Sequence, residues 1–178
     1  MSLSSQSRQG EPPVLIVAAL LGAVVATRFL AIAVSPGEID EAVFAGAVTR
    51  FDLYDLSPQA PGFPVWLLIG RALLPVIPSP FLALTVAATL LSCVALPALF
   101  LWGQRLVGGW AALGGTILAA FLPVVWVNGG RAFSDSPSTA FFLISLATLA
   151  AVAERASDGR RARPLALVAG LAAAAVLA

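Results

Sequence analysis

Long apolar runs separated by short polar stretches dominate this chain. The first run spans Val14 to Val34 and is interrupted by Arg28, whereas a second, Phe81–Trp102, carries no charge. Two more follow at Trp110–Val127 and Pro137–Ala153, and a last one at Leu165–Ala178. A helix rises about 1.5 Å per residue, so about 20 apolar residues cross the roughly 30 Å hydrocarbon layer of a membrane. The pattern therefore predicts an all-α, polytopic transmembrane bundle with helices at about 14–34, 81–102, 110–127, 137–153 and 165–178. The last of these would reach only about 21 Å, so the chain is expected to be the N-terminal part of something longer, cut inside a helix. Residues 1–13 are polar and read as a cytoplasmic tail ahead of a membrane domain at 14–178. The first apolar run exceeds the roughly 7–15-residue core of a signal peptide, so a retained helix is expected.

Between the first two runs lies a long polar-apolar segment, 35–79. Its apolar part, Gly62–Ile77, contains Arg71 and is broken by Pro64 and Pro75, and proline inside a helix removes a hydrogen bond and kinks it. Either this piece crosses the membrane or it lies along the interface. The rule that cytoplasmic loops collect Arg and Lys favours the second. Arg8, Arg105, Arg155, Arg160, Arg161 and Arg163 then share the inner side, and Glu38, Asp40, Glu41, Asp52, Asp55 and Asp135 the outer. Trp102 and Trp110 fall at inner helix ends and Trp126 at an outer one, as an aromatic belt requires. Segment 35–79 becomes an outer loop carrying two short interfacial helices.

Composition agrees with a membrane solvent: 60% of residues are hydrophobic and 11% charged, against about 25% charge in soluble domains. A net charge of +1 gives no reason to expect a nucleic-acid partner. There is no His, so a His-ligated metal or a His-activated nucleophile has no source here. The single Cys93 sits in an apolar run and reads as a packing residue.

Ser35-Pro36-Gly37-Glu38 carries the signature of a helix start, with Ser35 as cap, Pro36 in the first position and Glu38 completing a capping box. Beyond it, Ile39, Val43, Ala47 and Phe51 form an apolar stripe, with Phe44 and Val48 beside it. Asp40 and Glu41 fall in the first turn, where they either favour the helix dipole or form an acid pair where lipid headgroups meet water. Asp135 either precedes a cap at Ser136-Pro137 or is a second carboxylate facing the same compartment, with Arg131 nearby. Arg28, about six residues from the end of the first run, either snorkels to the interface or meets an anion, since a charge within a membrane helix is costly.

In order and sidedness, these residues resemble a known family. Arg28, then Ile39-Asp40-Glu41-Ala42, then Pro58-Gln59-Ala60-Pro61-Gly62-Phe63-Pro64, then Arg131-Ala132-Phe133-Ser134-Asp135-Ser136-Pro137 are similar to the GT-C glycosyltransferases. The protein O-mannosyltransferase and aminoarabinose transferase group is the one they look most like. The resemblance covers about 26–153, and Gln59-Ala60 stands where many relatives carry a His. It implies transfer of a sugar, with inversion, from a polyprenyl-phosphate-linked donor in the membrane lipid to an acceptor at the outer face of a bacterial plasma membrane. Asp40 and Glu41 would be catalytic, with Asp40 the general base. Arg28, Arg131 and Asp135 would bind substrate, an Arg neutralising the leaving phosphate. Asp40 and Asp135 would be the ligands if Mg²⁺ or Mn²⁺ takes part. The competing readings are a non-catalytic polytopic membrane protein, a transporter fragment, or a subunit whose site a second chain completes.

Overall fold

The computed structural model describes residues 11–55, 57–58, 62–158 and 162–176. Arg8, Gln59, Ala60, Pro61, Arg160 and Arg161 lie outside the described residues. Eight helices and no strand ladder are present among the described residues: α1 Val14–Phe29, α2 Ile39–Thr49, α3 Pro64–Leu73, α4 Pro80–Val107, α5 Gly109–Phe121, α6 Pro123–Asn128, α7 Asp135–Ser157 and α8 Arg163–Val176. The chain is all-α, as the apolar pattern predicts. Two helices, α4 with 28 residues and α7 with 23, are long and apolar enough to cross a membrane, while α1, α3, α5 and α8 are shorter apolar helices.

Helix α4 is the hub, packed against α1, α2, α3, α5 and α7, with α8 laid on α7. Its start is local chemistry: Ser79 accepts a hydrogen bond from the Leu82 N–H at 3.4 Å, and Pro80 fills the first position. It stops at Gly108, whose φ of 82° is open mainly to glycine. The expected end at Trp102 is one turn short, because Gly103–Val107 stay helical beyond the apolar run. The 110–127 run is not one helix. It breaks at Leu122, held extended at φ −57° and ψ 129° because a residue before proline is disfavoured in the α region.

The two short helices expected in 35–79 are α2 and α3. They bury Phe44, Val48, Trp66 and Leu67 against Phe81 and Leu84 on the first turns of α4. The buried face of α2 is Phe44, Ala47 and Val48, not the expected Ile39–Phe51 stripe, since Ile39 and Phe51 are exposed. Deeper along the bundle, Leu21 and Val24 of α1 meet Leu96 and Phe100 of α4 and Leu113 and Ala120 of α5.

The bundle has two chemically different ends. At one, α2 and α3 sit with the end of α1, the start of α4, the α5–α6 break and the start of α7. At the other, Arg105 of α4 holds Glu154 of α7 at 2.6 Å.

Candidate functional site

The first of these ends is stitched along a seam between 28–41 and 120–132, with one buried charge at each end of the seam. Arg28, 1% exposed, is the buried cation. Its Nη1 donates to the carbonyls of Val125 at 2.8 Å and Trp126 at 3.1 Å, and its Nη2 to that of Ala120 at 2.6 Å. These acceptors lie in the last turns of α5 and α6, where helix ends carry partial negative charge, and the Val125 carbonyl also takes the Gly129 N–H at 3.1 Å. Arg28 itself occupies the last turn of α1, so three helix C-termini converge on one guanidinium. An anionic partner was expected for Arg28; backbone carbonyls take that place.

Glu41, fully buried, is the mirror image. Its Oε2 accepts from the N–H of Gly37 at 2.8 Å, the N–H of Glu38 at 3.2 Å and Arg131 Nη2 at 2.5 Å. Oε1 accepts from Arg131 Nε at 3.0 Å and the Ala132 N–H at 3.2 Å. These contacts correct the expected helix start. Glu38, not Ser35, is the N-cap, and Glu41 completes the box, because its carboxylate holds 37–38 outside the helix. Burial pushes the Glu41 carboxyl up, but the Arg131 guanidinium and the Gly37 and Ala132 N–H groups outweigh it and hold the group below the ordinary carboxylate range. A carboxylate offers about four lone-pair sites, and five donors occupy them. Glu41 therefore organises this end of the bundle and has no site left to take a substrate proton, which corrects its expected catalytic role.

Between the two charges the backbones touch. Ala33 donates its N–H to the Gly130 carbonyl at 2.9 Å. A Cβ on Gly129 would stand 2.7 Å from Arg28 Nη1, and one on Gly130 would stand 2.6 Å from the Ala31 carbonyl oxygen. The Gly129-Gly130 pair is what lets the seam close.

Arg131 is only partly committed. Its Nε–Nη2 edge is fixed on Glu41, and the Phe133 ring lies 5.0 Å from its guanidinium carbon. Nη1 stands 3.7 Å from Glu38 Oε1, beyond hydrogen-bond range. Asp40, exposed in the first turn of α2, lines an open concavity of about 660 Å³ with Pro36, Gly37, Glu38 and Ala42. Gly37 also belongs to a neighbouring recess of about 380 Å³ that Ser35, Trp126 and Arg131 line. Asp135 lies at the start of α7, after Ser134 and not behind a cap at Ser136. It lines a third cavity, about 280 Å³, with Arg28, Asn128, Thr139 and apolar Leu96, Leu99 and Leu143.

Comparison with protein-family models, with curated proteins and with solved structures finds no match to this chain. Asp40 and Asp135 emerge at the same end of the bundle but line different cavities. Among the described residues no three His, Cys, Asp or Glu side chains gather as a metal ion would need. Sequence reasoning placed Trp126 only in an interfacial belt and did not foresee that it lines a recess with Ser35 and Arg131. It also missed the pairing of Glu41 with Arg131, 90 positions apart. The usable signal was scarcity: in so apolar a chain, a buried charge has to find compensating groups.

Proposed function

We propose that this chain works as, or as part of, a multi-pass membrane glycosyltransferase of the GT-C type. It would transfer a sugar from a polyprenyl-phosphate donor to an acceptor at the outer membrane face. In this reading α1, α4, the broken α5–α6 pair and α7 cross the bilayer. The pair runs from Gly109 to Asn128, about 30 Å if fully helical. Exposed leucines such as Leu15, Leu118, Leu149 and Leu171 would then face lipid. Arg105, Arg155 and Arg163 lie at the end opposite α2 and α3, and the tendency of cytoplasmic loops to collect Arg would put that end, with the N-terminus, in the cytoplasm.

The observation that carries the reading is the adjacency, through Gly37, of the Asp40 concavity and the Arg131 recess. The acceptor hydroxyl attacks C1 of the donor sugar while the bond from C1 to the phosphate oxygen breaks, and that electron pair leaves on the polyprenyl phosphate. The acceptor proton passes to the Asp40 carboxylate. Arg131, held rigid by Glu41, turns Nη1 to the leaving phosphate, where a guanidinium binds well. Arg28 and Asp135 would border the path of the isoprenyl chain along Leu96, Leu99 and Leu143.

Transport is less well supported. Transporters place free polar groups near the midplane, whereas Thr85, Thr89, Ser145 and Thr148 donate to carbonyls of their own helices. The test is Asp40→Asn in the full-length protein, reconstituted with a polyprenyl-phosphate sugar. Loss of a general base costs about 10²–10⁴-fold in rate, and a loss of at least about 100-fold is expected. Near-normal transfer would remove Asp40 from the reaction and leave the scaffold reading.

A further inference from the structure

Arg131 has a second carboxylate beside the corner of its guanidinium that Glu41 does not use. Nε and Nη2 are fixed on Glu41, and the missing side chain of Gly37 gives Nη2 its room, since a Cβ there would stand 2.5 Å away. Nη1 stands 3.7 Å from Glu38 Oε1, too far for a hydrogen bond but close enough for charge to be felt. Glu41 already offsets the Arg131 cation, so the Glu38 carboxylate is a negative charge in excess. Capping does not account for it, because Ser, Thr, Asp and Asn cap helix starts best, whereas the longer Glu38 side chain reaches on to Arg131. The Arg131 guanidinium is held above its ordinary value by the Glu41 hydrogen bonds first, against the opposing effect of burial, and the Glu38 charge adds to that.

An anion on Nη1 therefore lies close to Glu38. A phosphate oxygen about 2.8 Å from Nη1 is at most about 6.5 Å from Glu38 Oε1, inside the Debye length of about 8 Å at physiological salt. Glycosyl transfer changes the charge of that anion. The donor is a phosphodiester with a single negative charge. Once C1 has gone to the acceptor and the proton to Asp40, a phosphate monoester remains. Its second ionisation falls near a pH of about 6, so it carries close to two charges at neutral pH.

We propose that Glu38 is a charge discriminator at the Arg131 anion site: it favours the singly charged donor over the doubly charged product and so hastens release of the spent polyprenyl phosphate. This rests on the glycosyltransferase reading and adds to it the residue that separates donor from product.

The experiment measures binding to the full-length protein in lipid nanodiscs at pH 8 by titration calorimetry. Methyl citronellyl phosphate is the diester probe and citronellyl phosphate the monoester. Glu38 is 61% exposed, so its field is screened by a dielectric near that of water. One unit charge at about 6 Å is then worth about three- to tenfold in affinity. Glu38→Gln should tighten both probes, and the monoester about three- to tenfold more than the diester. Glu38→Asp, which keeps the charge, should leave the ratio of the two affinities near wild type. Salt at 1 M should erase the difference between wild type and Glu38→Gln. A ratio that Glu38→Gln leaves unchanged, while wild type binds both probes, overturns the discriminator and leaves the glycosyltransferase reading standing. So does a change that persists undiminished at 1 M salt, since a merely structural effect is not screened. If neither probe binds wild type, both fall together.

Discussion

Two charged side chains hold this end of the molecule, and they do so by opposite means. Arg28 collects carbonyls and Glu41 collects N–H groups, so each charge is met mostly by backbone. Glu41→Gln puts an amide NH₂ where five donors converge and strands Arg131. Breaking a buried pair costs about 3–5 kcal/mol, and with Arg131 still 20% exposed the lower end, about 3 kcal/mol, is expected in thermal unfolding. The pH dependence has a definite sign. Because the folded Glu41 carboxyl is held below its ordinary value of 4.5, the unfolded chain binds its proton first as pH falls. The stabilisation is therefore complete above pH 4.5 and disappears as the pH drops through the lower, folded value. Glu41→Gln should lose that slope; an unchanged acid profile would refute the assignment. At this scale the sequence singled out Arg28, Asp40, Glu41, Arg131 and Asp135, which the fold gathers at one end, but it could not say which of them hold one another. Partners about 90 positions apart leave no periodic trace.

Among the elements, the decisive one is the break at Leu122-Pro123. Apolar periodicity ran straight through it, and only proline's effect on the preceding residue marked it. The same is true of the start of α2, where Ser35-Pro36 carried a good local cap signal that the distant Arg131 and Ala132 overrode through Glu41. Where only local chemistry acts, as at Ser79-Pro80, the helix begins within one residue of the start of the apolar run. Local signals failed where the backbone makes long-range bonds. The Gly129-Gly130 pair gives a prediction at this level. Gly130→Ala drives a methyl into the Ala31 carbonyl, and such overpacking costs about 1–3 kcal/mol. Gly22→Ala, on α1 with nothing within 4 Å of the added carbon, should be neutral or gain about 0.5–1 kcal/mol from helix propensity. Thermal melts of the two variants in one detergent check this, and equal midpoints would count against the close seam.

For the whole molecule the separation of charge is partial, and it was legible because it depends only on which residues lie between which helices. Glu38, Asp40, Glu41, Asp52 and Asp55 lie around α2 together with Arg50 and, on α3, Arg71, while Arg105, Arg155 and Arg163 share the other end with Glu154 and Asp158. If the bilayer lies between, a membrane-impermeant maleimide added outside intact cells should label Tyr54→Cys, fully exposed beyond α2, and spare Asp158→Cys after α7, both in a Cys93→Ala background. Equal labelling would defeat the proposed orientation. The Arg28 clamp has one more consequence, for how such a protein is made. Its acceptors lie 92 to 98 positions later in the chain, and at a synthesis rate of about 5–20 residues per second they appear about 5–20 seconds after it. For that interval the first helix carries a cation whose partners have not yet been translated. Its packing cannot reach its final form until the ribosome has delivered the short helix that ends at Asn128, so the opening segment of the protein is finished by a later one.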